Sequence, residues 1–255
     1  MMALVYLRKE ARIMIGILGG MGPLATVDFM GKIIEATPAT CDQEHVPLLV
    51  YSDPDIPDRT RAIVEAGESP LPALLVGLHK LAAAGARCIA IPCNTAHYWH
   101  GELAQASPVP ILHIADCVSN ALITLGTKTV GLLATRGTLA ANFYQERLAA
   151  SGYRCLLPDD REQEHLVMAG IRRTKSGDVA GGGALLEQAA ELLRQRGAGA
   201  IILACTEIPP ALAWIHSPVL SHSLDATRAL AVACVAWWTA NRPQAAGSRA
   251  SSVLC

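Results

Sequence analysis

Two cysteines that each follow an apolar, strand-like run are the residues of this sequence best suited to acid–base chemistry. Cys93 follows the run 89–92 and Cys205 follows the run 201–204, and each stands where a helix is expected to begin. A thiol at the start of a helix meets free backbone N–H groups and the positive end of the helix dipole, which favour the thiolate. Two such thiols facing one pocket could remove a proton from one face of a carbon and deliver another to the opposite face. That exchange would invert a stereocentre.

Strand and helix patterns alternate along the chain, which predicts an α/β fold with mainly parallel sheets flanked by helices. The predicted strands cover residues 13–18, 46–52, 87–92, 109–114, 130–133, 153–157, 198–204 and 218–222. The predicted helices between them include residues 27–36, 71–84, 117–125, 142–151, 162–175, 185–195 and 225–239. Ligand sites of such sheets lie outside the carboxyl ends of the strands, which is where both cysteines are expected.

An internal repeat indicates that the fold is duplicated. Cys93 and Cys205 are 112 residues apart, while the strand pattern followed by Gly22 recurs before Gly137, 115 residues further on. Two similarities at nearly one spacing predict two pseudo-symmetric domains that place the cysteines across an interdomain cleft. We assign residues 13–113 plus 222–242 to an N-terminal α/β domain and residues 114–221 to a C-terminal one. Residues 1–12 and 243–255 are predicted to be flexible tails.

The glycine-rich turn after the first strand has two interpretations. Residues 20–25 fit the dinucleotide fingerprint G-x-G-x-x-A, which keeps a nicotinamide-dependent enzyme as an alternative. However, Pro23 has no N–H for a phosphate cradle, and no acidic residue ends a second strand at the expected distance. The favoured interpretation is a tight turn that lets the backbone approach a small anionic ligand.

Arg59 is a candidate carboxylate ligand on a loop that two prolines stiffen. A guanidinium held in a fixed place suits bidentate binding of a carboxylate. Spacing alone, however, favours a surface ion pair of Arg59 with Asp58 or Asp55. Beyond Cys93, the next two residues, Asn94 and Thr95, could offer donors to a substrate carboxylate.

Composition excludes several classes of protein. Of the 255 residues, 51% are hydrophobic and 17% charged, and 21 Lys plus Arg nearly balance 22 Asp plus Glu, so no basic field suggests nucleic acid or an anionic membrane. No apolar run has the length of a membrane helix, and residues 1–12 do not fit a signal peptide. The 8 cysteines include no C-x-x-C pair, which favours reduced cytoplasmic thiols over disulfides or zinc. Cys88, Cys117, Cys155 and Cys234 are expected to be buried small hydrophobes, and His97 an ordinary helix residue.

Five motifs in order resemble the cofactor-independent aspartate/glutamate racemase family, and aspartate racemase most. They are GILGGMGPLAT at 16–26, DQEH at 42–45, IPDRT at 56–60, PCNTAH at 92–97 and CTE at 205–207. The similarity spans about residues 13–240. It implies a two-domain α/β enzyme, usually a homodimer, that interconverts L- and D-aspartate and needs neither pyridoxal phosphate nor a metal.

The resemblance also implies roles for individual residues. Cys93 and Cys205 match the acid/base pair, and Arg59 matches an arginine that binds the substrate carboxylate and favours aspartate. Lys175 is the candidate for a family lysine, although the segment 170–175 lacks the tyrosine of the family pattern, so Arg172 or Arg173 could replace it. The remaining predicted substrate-binding residues are Asn94, Thr95, Ala96, Thr206, Met21 and Gly22.

Other functions with the same residues stay open. The nearest is a glutamate or broad-specificity amino-acid racemase, or a maleate-isomerase-like or decarboxylase reaction at the same cysteines. A different class is a non-catalytic protein that binds small dicarboxylates.

Overall fold

The computed structural model of the protein describes residues 13–242, which form two parallel β-sheets flanked by helices. The predicted tails lie outside the described residues. The strands are β1 Met14–Gly19, β2 Leu48–Ser52, β3 Ala86–Ala90, β4 Thr129–Ala134, β5 Arg154–Leu156, β6 Ala200–Ala204 and β7 Ser223–Asp225. The α-helices are α1 Pro23–Ala36, α2 Arg59–Val64, α3 Leu71–Ala83, α4 His100–Ala106, α5 Ile114–Leu122, α6 Arg136–Ala140, α7 Phe143–Ala150, α8 Asp160–Glu162, α9 Ala169–Lys175, α10 Val179–Gln195, α11 Ile208–Trp214 and α12 Ala226–Asn241.

The two sheets have corresponding strand orders. The first runs β2-β1-β3 and the second β5-β4-β6-β7, and every pairing is parallel. β4 therefore takes the central place that β1 has in the first sheet, and β6 takes the place of β3. This arrangement confirms the α/β fold class and matches the repeat seen in the sequence.

Alternating apolar residues along the central strands build the cores on both faces of each sheet. Ile17 of β1 and Leu132 of β4 point into one core that lies between the sheets and includes Leu230 of α12. Leu18, the neighbour of Ile17, faces a second core beneath α3. Leu133 faces a third core beneath α10 and α11. Because the central core takes residues from both sheets, burial of its apolar side chains holds the two sheets together.

The last helix packs against two other helices. The apolar face of α12 lies against α1 and α5, and the indole Nε1 of Trp238 donates to the carbonyl of Ile13 at 3.1 Å. The strand just before it, β7 at residues 223–225, pairs with β6 in the second sheet, so this sheet extends past residue 221, where we predicted the C-terminal domain to end. No helix among residues 13–242 combines the length and the hydropathy needed to cross a bilayer.

Two predicted strands are wrong. Residues 109–114 form only one bridge, between Ile111 and Ile89, and Ile114 already begins α5. Prolines 108 and 110 explain this, because proline has no N–H to donate to a strand ladder. Residues 218–222 form a 3₁₀-helix instead of a strand, since Pro218 fixes its own φ and the Ser217 hydroxyl accepts from the Val219 amide at 3.3 Å.

The helix predicted at 162–175 is present but irregular. It begins in α8 at Asp160, passes through a π-helix at Gln163–Met168 and ends in α9 at Lys175. Asp159 begins it with a capping box, in which its carboxylate and the Glu162 carboxylate each accept from the other residue's backbone N–H. The extra residue of a π turn rotates the following helix about its axis, which changes the direction in which Lys175 points.

Candidate active site

Cys93 lies just beyond the carboxyl end of β3, where the chain leaves the first sheet. Its backbone N–H donates to the carbonyl of Ile91 at 2.8 Å, and a 3₁₀-helix, Thr95–Trp99, follows it. The side chain is 7% exposed. The thiol is therefore fixed on a short, rigid connection at the edge where parallel sheets bind ligands.

Cys205 follows β6 directly and occupies the equivalent place in the second sheet. Its Sγ donates to Oε2 of Glu207 at 3.0 Å, and the hydroxyl of Thr206 donates to the same oxygen at 3.0 Å. The other oxygen of Glu207, Oε1, lies 3.6 Å from Nζ of Lys175. A thiol, a hydroxyl, a carboxylate and an ammonium thus form one connected group.

The two cysteines line the same cavity. The space that protein atoms leave free there, part of it open to solvent, is about 360 Å³. The other lining residues are Met21, Asp58, Arg59, Thr60, Asn94, Thr95, Thr135, Lys175, Ala204, Thr206 and Glu207. Because they come from both sheets, the cavity opens between the two repeats, as the sequence predicted for the cysteine pair.

The electrostatics of Cys205 differ from the expectation that a helix start would favour its thiolate. Burial raises the pKa of Cys205 well above the usual thiol range, and the charge and hydrogen bond of Glu207 raise it further. Lys175 acts in the opposite direction and lowers it less. The backbone N–H of Glu207 also lowers the pKa, as expected of a donor near a helix start, but burial and the Glu207 carboxylate outweigh it, and α11 begins only at Ile208.

Arg59 is the first residue of α2 and reaches the cavity. Its Nη1 donates to the carbonyls of Ile56 and Pro57, both at 3.0 Å, while its Nε is buried without a partner among residues 13–242. The surface ion pair with Asp58 or Asp55 is not formed. Asp58 instead caps α2 by accepting from the Arg61 amide at 2.8 Å. The guanidinium is thus held by two carbonyls, with a buried donor still available.

Lys175 lies on the cavity wall at the end of α9. The neighbouring helix α10 reaches this end closely because Gly182 has no side chain, since a Cβ there would lie 2.3 Å from the Thr174 hydroxyl. Burial lowers the pKa of Lys175, but the carboxylate of Glu207 and the two nearby sulfurs raise it by more, so the net pKa is raised and the ammonium stays charged. The two other candidates for this place, Arg172 and Arg173, point elsewhere and pair with Glu164 at 2.9 Å and Asp178 at 3.7 Å.

Asn94 and Thr95 link the cavity to the second sheet. Oδ1 of Asn94 accepts from the hydroxyl of Tyr144 at 2.6 Å, and its Nδ2 is buried with no partner among the described residues. The Thr95 hydroxyl lies 2.9 Å from the hydroxyls of Thr135 and Thr138, which are 3.0 Å apart. Residues of the second repeat therefore orient the donors that follow Cys93.

Two predicted substrate-binding residues lie away from the cavity, whereas Met21 and Thr206 line it. Ala96 is fully buried and packs into the core beneath α3. Gly22 lines a neighbouring groove, together with Leu24 and Pro54, that shares Met21, Arg59 and Lys175 with the cavity. His97 is a buried residue of the 3₁₀-helix that hydrogen-bonds the Ile91 carbonyl at 3.1 Å, and it does not line the cavity.

Five lining residues were not among the predicted site residues: Asp58, Thr60, Ala204, Thr135 and Glu207. The internal repeat carried a signal for the last two. Thr135 follows β4 directly, so it stands at a carboxyl end equivalent to the glycine turn after β1. Glu207 is 112 residues from Thr95, the same spacing as the cysteine pair.

The glycine turn packs against its own chain. Gly20 has φ +93°, and a Cβ there would lie 2.3 Å from the backbone of Asp53. Its N–H donates to the Thr26 hydroxyl at 2.8 Å, which in turn donates to the Gly22 carbonyl at 3.1 Å. The glycine turn is thus explained by a close backbone approach and by a hydrogen bond to the Thr26 side chain, and this argues against the nucleotide-binding interpretation.

The described cysteines other than Cys93 and Cys205 lie outside the cavity. Cys88 and Cys234 are buried and Cys117 and Cys155 half-buried, and all seven cysteines of residues 13–242 are free. Within this described range, no group of three or more His, Cys, Asp or Glu side chains is placed to hold a metal ion.

Residues 18–234 match the family model described as Asp/Glu/Hydantoin racemase. The chain belongs to this racemase family. The broad specificity amino-acid racemase RacX of Bacillus subtilis (strain 168) is 31% identical over 232 residues, which span 89% of this chain and 99% of RacX. The match confirms the family predicted from the five sequence motifs.

Solved structures of racemases share the fold. The Picrophilus torridus aspartate racemase superposes with a TM-score of 0.79 at 33% identity, covering 89% of this chain and 94% of that chain. The glutamate racemase isoform RacE1 from Bacillus anthracis gives a TM-score of 0.68 at 19% identity, over 91% of this chain and 83% of that chain. Both cysteines lie inside the region that matches the racemase family.

Proposed function

We propose that this racemase interconverts L- and D-aspartate without pyridoxal phosphate or metal, using Cys93 and Cys205 as its two acid/base groups. The observation that carries the proposal is the shared cavity, in which both thiols meet Arg59, Lys175 and Asn94. Two thiols from equivalent strand ends can address opposite faces of one α-carbon. Three nearby nitrogen donors can hold the carboxylates of a dicarboxylic amino acid.

The donors suit carboxylates for specific physical reasons. Nε of Arg59 and Nδ2 of Asn94 are buried without partners among residues 13–242, and a buried unpaired donor costs free energy until a ligand acceptor reaches it. Lys175 adds a positive charge whose present partner, Glu207 Oε1, is 3.6 Å away. Charge-assisted hydrogen bonds from these groups would be stronger than neutral ones. They would also offset the negative charge that develops next to the α-carboxylate when the α-proton leaves.

The proton transfers balance as a simple exchange. One cysteine thiolate takes the α-proton, so a C–H bond breaks and an S–H bond forms. The thiol on the opposite face gives its proton to the same carbon, which leaves the inverted amino acid and a thiolate. General acid–base catalysis of this kind contributes about 10²–10⁴-fold. The fixed positions of the thiols would supply a further part by holding the reacting atoms in line.

We extend the proposal to the domains, the assembly and the compartment. The domains run over 13–113 plus 222–242 and over 114–221, except that Ser223–Asp225 belongs to the second sheet, and the cavity lies between them. The chain acts as a homodimer, and an exposed apolar stripe on α1, made of Leu24, Val27 and Ile34, supports a contact surface. Free thiols in the described cysteines fit a reducing compartment such as the cytoplasm. Sedimentation of the purified protein tests the dimer, and a monomer at micromolar concentration would contradict it.

The central experiment incubates the purified protein with L-aspartate in D₂O. We expect D-aspartate carrying deuterium at the α-carbon, measured by chiral chromatography and mass spectrometry. Cys93→Ser and Cys205→Ser should each abolish racemisation, while slow exchange of the α-hydrogen at the remaining thiol can persist. Cys155→Ser, at a half-buried cysteine outside the cavity, is the matched control. Full activity in either active-site variant would contradict the two-thiol assignment.

A broader amino-acid racemase is the second candidate, because an open groove adjoins the cavity at Arg59 and Lys175. A long or apolar side chain could extend into it past Leu24 and Pro54. The broad-specificity activity named for the relative RacX points in the same direction. Parallel D₂O incubations with L-glutamate, L-lysine and L-leucine separate the candidates. A protein that binds aspartate in calorimetry but exchanges no α-hydrogen would instead be a dicarboxylate binder.

A further inference from the structure

The carboxylate of Glu207 is the centre of a contact network on one side of the cavity. Its Oε2 accepts from Cys205 Sγ and from the Thr206 hydroxyl, both at 3.0 Å. Its Oε1 lies 3.6 Å from Lys175 Nζ, and the side chain is 13% exposed. Neither the substrate-binding donors nor the thiol pair described above gives this carboxylate a role.

We propose that Glu207 is a positioning residue that keeps the one proton of the thiol pair on Cys205 in the substrate-free protein. Cys205 is then the resting acid and Cys93 the resting base. The inference rests on the proposed two-base function, which requires one thiol and one thiolate. It adds which cysteine holds the proton at rest, and why.

The geometry gives the physical reason. An ionised carboxylate accepts hydrogen bonds but has no proton to donate, so the 3.0 Å contact requires the S–H form of Cys205. A thiolate there would place two negative charges side by side in a buried site, where their repulsion is strong. Burial of the sulfur is the larger cause, and it raises the pKa of Cys205 in the same direction. Of the charged groups that face the sulfur, Lys175 opposes Glu207 but is itself paired with it.

The arrangement has a consequence for the catalytic cycle. From rest, Cys93 takes the α-proton of the enantiomer that presents its hydrogen to β3, and Cys205 gives its proton to the other face. The protein then holds an S–H at Cys93 and a thiolate at Cys205 beside Glu207. Return of one proton from Cys93 to Cys205 through solvent restores the resting form, and Glu207 favours this return.

The test measures the protonation of each cysteine without relying on turnover. Substrate-free protein is treated with iodoacetamide from pH 6 to 10, and mass spectrometry follows the peptides that contain Cys93 and Cys205. In the parent protein we expect Cys205 to react at higher pH than Cys93. In Glu207→Gln the midpoint for Cys205 should fall by about one pH unit or more, which is about tenfold faster alkylation below the midpoint. The midpoint for Cys93 should move much less.

Glu187→Gln is the matched control, because Glu187 also accepts a hydroxyl, that of Ser217 at 2.8 Å, but lies away from the cavity. It should leave both midpoints unchanged. If the glutamine variant does not fold, Glu207→Asp shortens the side chain, removes the contact to Sγ and should give a smaller shift in the same direction. An unchanged or raised Cys205 midpoint in either folded variant would overturn the proposal.

A second readout uses the proposed activity. The alkaline limb of kcat/KM against pH reports loss of the acid thiol in the free enzyme. Glu207→Gln should move that limb to lower pH, which a merely structural role would not do. If the parent protein shows no racemisation, the proposed function fails, while the alkylation profiles still decide whether Glu207 holds the proton on Cys205.

Discussion

Replacing Tyr144 by Phe would remove a single oxygen from the structure and test how the two repeats orient the site. The Tyr144 hydroxyl donates to Oδ1 of Asn94 at 2.6 Å, and Tyr144 is fully buried and Asn94 nearly so. Without the hydroxyl, Oδ1 keeps its burial and loses its donor. Leaving a buried acceptor unsatisfied costs about 1–3 kcal/mol. We therefore expect the free energy of unfolding to fall by about that amount, measured by urea denaturation with tryptophan fluorescence.

The same change should alter substrate binding, because Tyr144 fixes the direction of the Asn94 amide. Without this bond the Asn94 amide can rotate, so Nδ2 is available to the substrate in only part of the molecules. If this weakens substrate binding by about 1 kcal/mol, KM rises about fivefold. We expect kcat to change less, since neither thiol contacts Tyr144. Steady-state racemisation of L-aspartate measures both constants.

Tyr153→Phe is the matched control for this experiment. Tyr153 is also buried, with 7% of its surface exposed, but its hydroxyl forms no hydrogen bond within residues 13–242. Its variant should keep both the stability and the KM of the parent. A Tyr144→Phe protein as stable as the parent to within about 0.5 kcal/mol, with an unchanged KM, would refute the reasoning that this bond orients Asn94.

Two further predictions concern charge. Arg59→Lys keeps the positive charge but loses the planar guanidinium and its buried Nε, so the KM for aspartate should rise about tenfold or more. Arg61→Lys is the control, because the Arg61 side chain is 73% exposed, and its KM should equal that of the parent. An unchanged KM in Arg59→Lys would remove Arg59 from substrate binding. Burial lowers the pKa of His97 to about 3 and that of His113 to about 2 in the folded protein. Below about pH 6.5 the unfolded chain therefore binds more protons than the folded protein does, and the free energy of unfolding decreases as the pH falls. Urea unfolding should lose about 2 kcal/mol per histidine between pH 7 and pH 5, and His97→Gln should remove one of these losses, while a flat profile in the parent would contradict both assignments.

Much of the fold could be predicted from the sequence because its patterns are local. The apolar runs at residues 13–18 and 130–133 form the central strands. The spacing of the internal repeat predicted two similar halves, and the two sheets have corresponding strand orders. The prediction failed where proline overrode an apolar pattern, at 109–114 and 218–222. There the missing N–H or the fixed φ of proline prevented a strand, although the side chains suited one.

The sequence predicted part of the candidate site, and the tertiary structure added the rest. By itself the sequence determined which residues stand at the carboxyl ends of the strands, and hence the cysteine pair and the Asn94–Thr95 donors beside it. Tertiary structure alone decided that Glu207 faces Cys205, that Tyr144 holds Asn94 and that Lys175, rather than Arg172 or Arg173, reaches the cavity. Side-chain contacts between residues far apart in the chain depend on how helices and sheets pack. For the same reason, the direction of the shift in the Cys205 pKa follows from burial and a neighbouring charge, which no local pattern encodes.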